Sequence, residues 1–389
     1  MLGAGFLQDF VIRKAVKMGY ETYALDANPN AIGFTHADRY AAINIVDEKA
    51  CLAYAQANKI DGVLTAATDY GVLTASFIAQ QMGLNGIKYQ TAQLVKDKYR
   101  VRKCLFDHRV DDTRQFYEVH RDTDIEALAE QLTYPLMVKP CDGSGSRCVC
   151  RVNKASEFKG ACEYAMKGSV VQRVVIEPFV VGREYGAETL VTEGEPHVLG
   201  ILRKWMTKPP YYAELGHALP NDLPKETEAK AVACVKKAIK ALSITTGAVN
   251  MDLLITADGG IYIVDVGARM GGNMIGPCVV PYGTGIDYMA AIIQNAVGDK
   301  PEPETGNHCA VATRLLAFDA GVIKRMPDVQ AAEEKFGVEI YHHMAEGMKV
   351  NEYHTNLDGC GYIVAKAATV EDAVAKADKT LDCFKQTIF

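Results

Sequence analysis

The hydrophobic pattern of this chain changes character three times. Through residue 95, apolar runs of strand length alternate with segments of helical period. Gly3-Ala4-Gly5 opens a helix through about Gly19, TYALD (22–26) reads as a buried strand ending in Asp26, and DGVLTAATD (61–69) reads as another strand with its loop. This alternation predicts an α/β unit around a parallel sheet. Almost nothing precedes Gly3, so a first strand would be very short. From residue 97 the texture differs. DKYRVRKCL is a charged helical segment, and PLMVKP (135–140) is a short strand carrying a lysine. DGSGSRCVCRV (142–152) is a glycine-serine loop entering a strand, SEFKGACEYAMK is a helix with Ser156 as its cap, and VVIEPFVVGREYGAETLV holds two strands around a Pro-Phe link. KWMTKPPYYAELGHALPNDLP (204–224) is Pro-rich and aromatic and reads as a loop; loops of that length are usually functional or disordered. A helix from about Lys225 to Leu242 follows. PEPETG reads as a linker, and beyond it come short strands, one ending near Val364–Ala365, and a helix from near Val370.

The densest chemistry lies at 247–273, GAVNMDLLITADGGIYIVDVGARMGGN, two strands joined by a turn. Asp258-Gly259 has the sequence of a type I′ hairpin, whose central residues both need positive φ. With that turn as centre, Asp252 and Asp265 stand directly opposite on one face, with Cβ atoms about 5 Å apart. Like charges so placed are destabilising unless something positive lies between them. A divalent cation fits, and all-oxygen ligation suits Mg²⁺, with Mn²⁺ as the substitute. Arg269 follows beside Gly271 and Gly272. Base, metal cradle and flexible loop together have the form of a phosphoryl-transfer site.

Other motifs carry less information singly. In the loop Asp142-Gly143-Ser144-Gly145-Ser146, backbone N–H groups can approach phosphate oxygens, and Lys139 and Lys98 supply positive charge nearby; a Gly-Ser loop alone is more often a plain turn. Glu177-Pro178-Phe179-Val180 can offer backbone groups to a purine edge, with Glu184 placed to accept from ribose hydroxyls; the bland reading is a strand connection. Glu214 and His217 in the 204–224 loop could approach a metal or an amine; a surface pair is the ordinary alternative. GAGFLQ with Asp26 partly matches a dinucleotide fingerprint, but Gln8 stands where the third glycine belongs. Cys148 and Cys150 alternate with apolar residues, which favours a strand over a metal site.

Composition narrows the field. The chain has 389 residues, a net charge of −6 with both signs interspersed, and no apolar run long enough to span a membrane. These point to roughly two or three domains, with no nucleic-acid or membrane partner. The eleven irregularly spaced cysteines, with no secretory segment at the N-terminus, suit a reducing cytoplasm.

The order Lys98, Lys139, Gly-Ser loop, Glu177-Pro178-Phe179, Glu184, Asp252, Asp265, Arg269 resembles the ATP-grasp superfamily over most of the chain. DVGARMGGN followed by VVPYGTGID, and TKPPYYAELGH, resemble the branch of L-amino acid ligases, which join a carboxylate to an amine. The resemblance implies a mixed α/β and α+β ATP-grasp fold. Its parts would be a Rossmann-like pre-ATP-grasp domain at 1–95, an ATP-grasp domain at 96–303 and a small α+β domain at 304–389. It implies ATP and Mg²⁺ as cofactors. Lys98 and Lys139 would contact phosphates, loop 142–146 (Gly143, Ser144, Gly145, Ser146) would close over them, Glu177, Pro178, Phe179 and Val180 would line the adenine pocket, and Glu184 would hold the ribose. Asp252 and Asp265 would bind the metal. Arg269 would steady the transferred phosphoryl group. Glu214 and His217 would sit at the amino-acid site, walled by Gly272 and Asn273. Two departures stand out: the family usually carries glutamates where Asp252 and Asp265 are, and an Asn where Gly267 is. The implied activity is amide formation between small-molecule substrates through an acyl-phosphate with release of ADP and phosphate, in a chain whose relatives are often homodimers. The rivals are a purine-pathway carboxylase or formate-using ligase, a nicotinamide oxidoreductase, and a nucleotide-binding regulator without turnover.

Overall fold

The computed structural model describes residues 1–143, 145, 147–209 and 211–389. Gly3, at φ +93°, turns the chain directly into helix Phe6–Lys17. Leu2 makes single parallel bridges to Leu25 and Thr65. Strand β1 (Tyr23–Asp26) pairs in parallel with β2 (Arg39–Ala42). The 61–69 segment is not the ladder strand expected from its composition. It makes isolated bridges, one of which, Ala66 to Met270, ties it to the loop carrying Arg269. Asp26 accepts hydrogen bonds from the amides of Ala4 and Asn28, both at 2.9 Å, so its carboxylate organises the local turn.

Next in the chain are β3 (Tyr117–Val119), β4 (Leu136–Pro140), β5 (Cys150–Val152) and β6 (Val174–Pro178), which form a four-stranded antiparallel sheet in the order β3-β6-β4-β5. Helices Ile125–Gln131 and Ala155–Lys167 cover one face of it, around Val138, Phe158 and Ile176. Ser156 is not the cap of the second helix. Lys154 stands at that position, and the Glu157 carboxylate accepts from the Asn153 amide at 2.9 Å.

The larger sheet follows: β7 (Arg183–Thr192), β8 (Glu195–Met206), β9 (Glu214–Leu219), β10 (Gly247–Ile255), β11 (Ile261–Gly267), β12 (Ala310–Leu315), β14 (Val338–His342) and β16 (Gly361–Ala367), with β13 (Gly321–Val322) and β15 (Lys349–Val350) as a separate pair. Its eight strands run in the order β11-β10-β7-β8-β9-β12-β16-β14. One expectation changes here. The 204–224 stretch is strand at both its start and its middle, since β8 continues to Met206 and β9 runs Glu214–Leu219. The segment beyond PEPETG adds strands to the same sheet, since β12 pairs with β9.

The hairpin of β10 and β11 pairs Asp252 with Asp265, but by another route than a two-residue turn. Near the turn the register is Ile255 with Ile261 and Leu253 with Ile263, and the connection is 256–260, where Gly259 takes φ +82° and Asp258 does not have positive φ. A bulge then shifts the register between Leu253 and Asp252. The bulge also decides orientation. Ile261 and Ile263 face the core, and strict alternation would send Asp265 after them. The extra residue reverses the phase, so Val266 enters the core and Asp265 faces the opposite side with Asp252.

Helix Lys225–Ala241 packs Ala231, Val235, Ala238 and Ile239 under Tyr185, Val249, Met251 and Leu253. That burial leaves the other face of β7, β10 and β11 to the site. Among the described residues no helix is long and apolar enough to cross a membrane. Leu253 is fully buried in this core. Leu253→Ala should cost ~2–5 kcal/mol, seen as a lower urea midpoint with unchanged denaturant slope.

A candidate active site between the two sheets

The sheets face each other across a cavity of about 1170 Å³. Met137, Lys139 and Arg151 line it from the smaller sheet, and Glu184, Lys204, Asp252 and Asp265 from the larger. Pro178–Gly182, the extended link between the sheets, lines one end. There Arg151 lies over the Phe179 ring at 4.0 Å, and the Phe179 amide donates to the Pro135 carbonyl at 2.9 Å. Thr68, Asp69 and Tyr70 reach in from the N-terminal unit, and Asn356, Leu357 and Tyr362 from the C-terminal segment.

Period-2 alternation, with the bulge on β11, collects the acidic side chains. Glu184 on β7, Asn250 and Asp252 on β10 and Asp265 on β11 share the cavity face. Lys204 on β8, whose side chain is 1% exposed, lies among three carboxylates: its Nζ is 2.7 Å from Asp252, 2.7 Å from Glu214 and 3.6 Å from Glu184. Burial and the neighbouring Glu214 push Asp252 up, against the pull of Lys204. Burial likewise raises Glu184. For Glu214 burial acts upward too, but Lys204 and its hydrogen-bond donors outweigh it and hold the carboxyl down at about 2. One ammonium among three carboxylates leaves this wall net negative, an environment that favours an added cation.

Lys98 begins helix Lys98–Asp107, whose N-cap Asp97 accepts from the Arg100 amide at 3.0 Å, and its Nζ is 2.5 Å from Asp265. Lys139 pairs with Glu177 at 2.6 Å. Arg102, which sequence reading missed, is buried beneath them. It donates to Glu177 at 2.5 Å, to Asp111 at 2.7 Å and to the Ile263 carbonyl. Glu177 lines the cavity with Pro178, Phe179 and Val180, and its side chain also anchors Lys139 and the sheet junction. Burial raises the Glu177 carboxyl, but Arg102 and Lys139 prevail and bring it to about 2. Gly143 and Gly145 line the mouth; Ser144 and Ser146 lie outside the described residues.

Arg269 is held by Asp69, at 2.9 Å, and by Asn250, at 3.4 Å. Asn250 stands opposite Gly267 in the hairpin register. Its amide donates to the buried Glu188 at 2.9 Å, which also accepts from the Gly271 amide at 2.8 Å and from the Tyr288 hydroxyl at 2.9 Å. Burial raises Glu188 to about 7 despite these donors. The arginine loop is thus pinned from both flanks. Asp69 could have been suspected from its place at the end of an α/β strand segment, where such folds bind ligands.

Glu214 stands on β9 and faces the cavity, touching Asn273, whose φ of +51° is a strained conformation of the kind that collects at functional sites. His217 does not line the cavity. It is buried behind Glu214, with Nε2 3.9 Å from the carboxylate, and burial lowers it to about 4, so it is neutral at pH 7. Asn356 and Tyr353, also unforeseen, hold Glu214 from the C-terminal segment.

Among the described residues no group of three or more His, Cys, Asp and Glu side chains is placed to hold a metal ion. A facing pair of aspartates nevertheless fits Mg²⁺, which keeps water and is bound through one or two carboxylates plus substrate phosphates.

Two sheets closing on a cavity with facing carboxylates, lysines and a pinned arginine have the form of the ATP-grasp fold. Residues 132–277 match the family model described as ATP-grasp domain, and 314–386 match L-amino acid ligase C-terminal domain 2. The chain is 32% identical over 221 residues to a D-alanine–D-alanine ligase of Aromatoleum aromaticum, covering 54% of this chain and 69% of that protein. It is 25% identical over 268 residues to the uncharacterized protein y4rH of Sinorhizobium fredii, covering 67% of this chain but 55% of the relative. The crystal structure of an L-amino acid ligase from Bacillus licheniformis superimposes with a TM-score of 0.84 at 25% identity, covering 98% of this chain and 96% of that one. The chain belongs to the ATP-grasp family, among its ADP-forming carbon–nitrogen ligases. That family uses ATP with Mg²⁺.

The low value of Glu177 has a consequence in acid. Its ion pairs contribute stability above the ordinary carboxyl value of 4.5, lost as pH falls towards about 2. The contribution is on the order of 3 kcal/mol. Urea midpoints of wild type and Glu177→Gln should therefore draw together as pH falls from about 5 to about 2, and a gap that stays constant would count against this ion-pair network.

Proposed function

We propose that the protein is an ATP-dependent carboxylate–amine ligase that activates an amino-acid carboxylate as an acyl-phosphate and condenses it with an amine. The observation that carries this reading is the shared cavity. Asp252, Asp265, Lys98 and Arg269 are gathered at one wall, and Glu214, bracketed by Asn273 and Asn356, stands beside them. The position-by-position roles given by resemblance, and the division near residues 95 and 303, are part of the proposal.

Lys98 and Lys139 would exchange their present carboxylate partners, Asp265 and Glu177, for phosphate oxygens. Mg²⁺ held by Asp252 and Asp265 would offset charge on the nucleotide phosphates. Arg269, fixed by Asp69 and Asn250, presents a planar cation to the transferred phosphoryl group without needing to reorganise. The γ-phosphoryl bond to ADP breaks as the carboxylate oxygen bonds phosphorus. The amine nitrogen then bonds the acyl carbon, loses a proton, and phosphate departs with the C–O electron pair. A carboxylate held as low as Glu214 is a weak base, so it binds the ammonium of an amino acid. Gly143, Gly145, Thr207 and Tyr212, which line the cavity, belong to the parts that would exclude water from the acyl-phosphate.

The test is phosphate release from Mg-ATP across amino acids, singly and in pairs, with mass spectrometry of products. Release that needs a pair and yields their condensation mass supports the reading; release driven by formate or bicarbonate overturns it. Arg269→Ala should lower turnover by ~100-fold or more while ATP still binds. Near-normal turnover in that variant would remove Arg269 from the chemistry.

A further inference from the structure

Glu214 is oriented from the far end of the chain. The segment Tyr353–Asp358, which follows the linker, ends in a single 3₁₀ turn, Asn356–Asp358. A capping box fixes it: the Thr355 amide and hydroxyl both donate to Asp358, each at 2.9 Å. From this self-contained turn Asn356 grips Glu214 twice. Its amide donates to Glu214 Oε2 at 3.0 Å, and its Oδ1 accepts from the Glu214 backbone amide at 3.2 Å. The Tyr353 hydroxyl adds a bond to the Glu214 carbonyl at 2.5 Å. The His354 ring stacks on Tyr211 at 3.9 Å between centroids, which joins the turn to the connection between β8 and β9.

Saturation of the carboxylate makes this grip consequential. Oε2 accepts from two amides, Asn273 and Asn356, and Oε1 faces Lys204 at 2.7 Å. An ammonium that bonds this carboxylate meets oxygens whose orientation Lys204 and the two asparagines have already set. Next in the turn, Leu357 lines the same cavity with its side chain 80% exposed. A single exposed leucine is ordinary on a protein surface. This one lies in a cavity that Leu7 and Tyr362 also line, near Glu214. Tyr362 packs with Tyr353 and Ala213, and Leu7 approaches Gly272, the neighbour of Asn273.

We infer that the turn Tyr353–Asp358 is the specificity element for the amino-acid substrate: Asn356 positions Glu214 for the substrate ammonium, and Leu357, with Leu7 and Tyr362, receives an uncharged, apolar side chain. The inference rests on the ligase reading above. It assigns to the C-terminal segment the choice of substrate and leaves the nucleotide end to the two sheets.

The experiment compares the full-length protein with Asn356→Ala and Leu357→Ala in amino-acid-dependent phosphate release, with ATP binding measured alongside. Asn356→Ala should raise KM for the amino acid ~10-fold or more, the scale of a lost hydrogen bond to a charged group, with KM for ATP within about twofold. Leu357→Ala should lower the preference in kcat/KM for large over small apolar amino acids by ~10-fold, the discrimination an apolar pocket provides. Leu357 is solvent-exposed, so its variant carries the test even if Asn356→Ala fails to fold. Wild-type release that depends on amino acids, with amino-acid KM and selectivity unchanged in the variants, would overturn the inference and leave the ligase reading intact. A preference for charged side chains in the wild type would overturn the apolar subsite. Wild-type release indifferent to every amino acid would overturn the ligase reading and the inference together.

Discussion

The site depends on one constraint: two aspartates, Asp252 and Asp265, are held face to face on neighbouring strands. Each is answered by a different lysine, Lys204 on the next strand but one and Lys98 at the start of a helix. Paired like charges are tolerated only where positive charge is built in beside them. Meeting that requirement draws β8, the helix Lys98–Asp107 and the hairpin to one point. A second cationic demand, from Glu177, draws Lys139 and Arg102 to the junction of the sheets. The cavity is the space these ion pairs surround, and ATP with Mg²⁺ would enter it by replacing lysine–carboxylate contacts with lysine–phosphate and metal–carboxylate ones.

The fold makes this arrangement affordable by separating its two faces. Helix Lys225–Ala241 and the inner face of β7, β10 and β11 form a fully apolar layer, so charged groups are confined to the opposite face. The bulge in the hairpin is where the two demands meet. It keeps Ile261, Ile263 and Val266 in the core while turning Asp265 out towards Asp252. The arginine loop next to it is tied by Ala66 and Asp69 to the N-terminal unit and by Glu188 to β7. Movement of any one of these elements would therefore reach Arg269.

Much of this was legible in the order of residues. The Asp252–Asp265 pairing, the lysine-bearing strand 136–140, the strand link at Pro178-Phe179 and the helix at 98–107 follow from period and turn residues, which act over short distances. The hairpin shows the limit of such reading. A two-residue turn was expected, whereas a five-residue connection followed by a bulge produced the same pairing at the aspartates. The 204–224 stretch misled for a related reason. Its prolines and aromatics signal a loop, yet Lys204 and Glu214 lie on paired strands because partner strands were available to them.

What the sequence determined by itself is most of the local elements and the facing of Asp252 and Asp265, because these rest on spacing along the chain, and a motif order whose resemblance to a family the comparisons bear out. What only tertiary structure decided is which charge answers which. Lys204 among Glu184, Glu214 and Asp252, Asp69 on Arg269, and Asn356 on Glu214 join residues up to 200 positions apart. No local period encodes such contacts; they exist because eight strands from both sides of the linker close into one sheet.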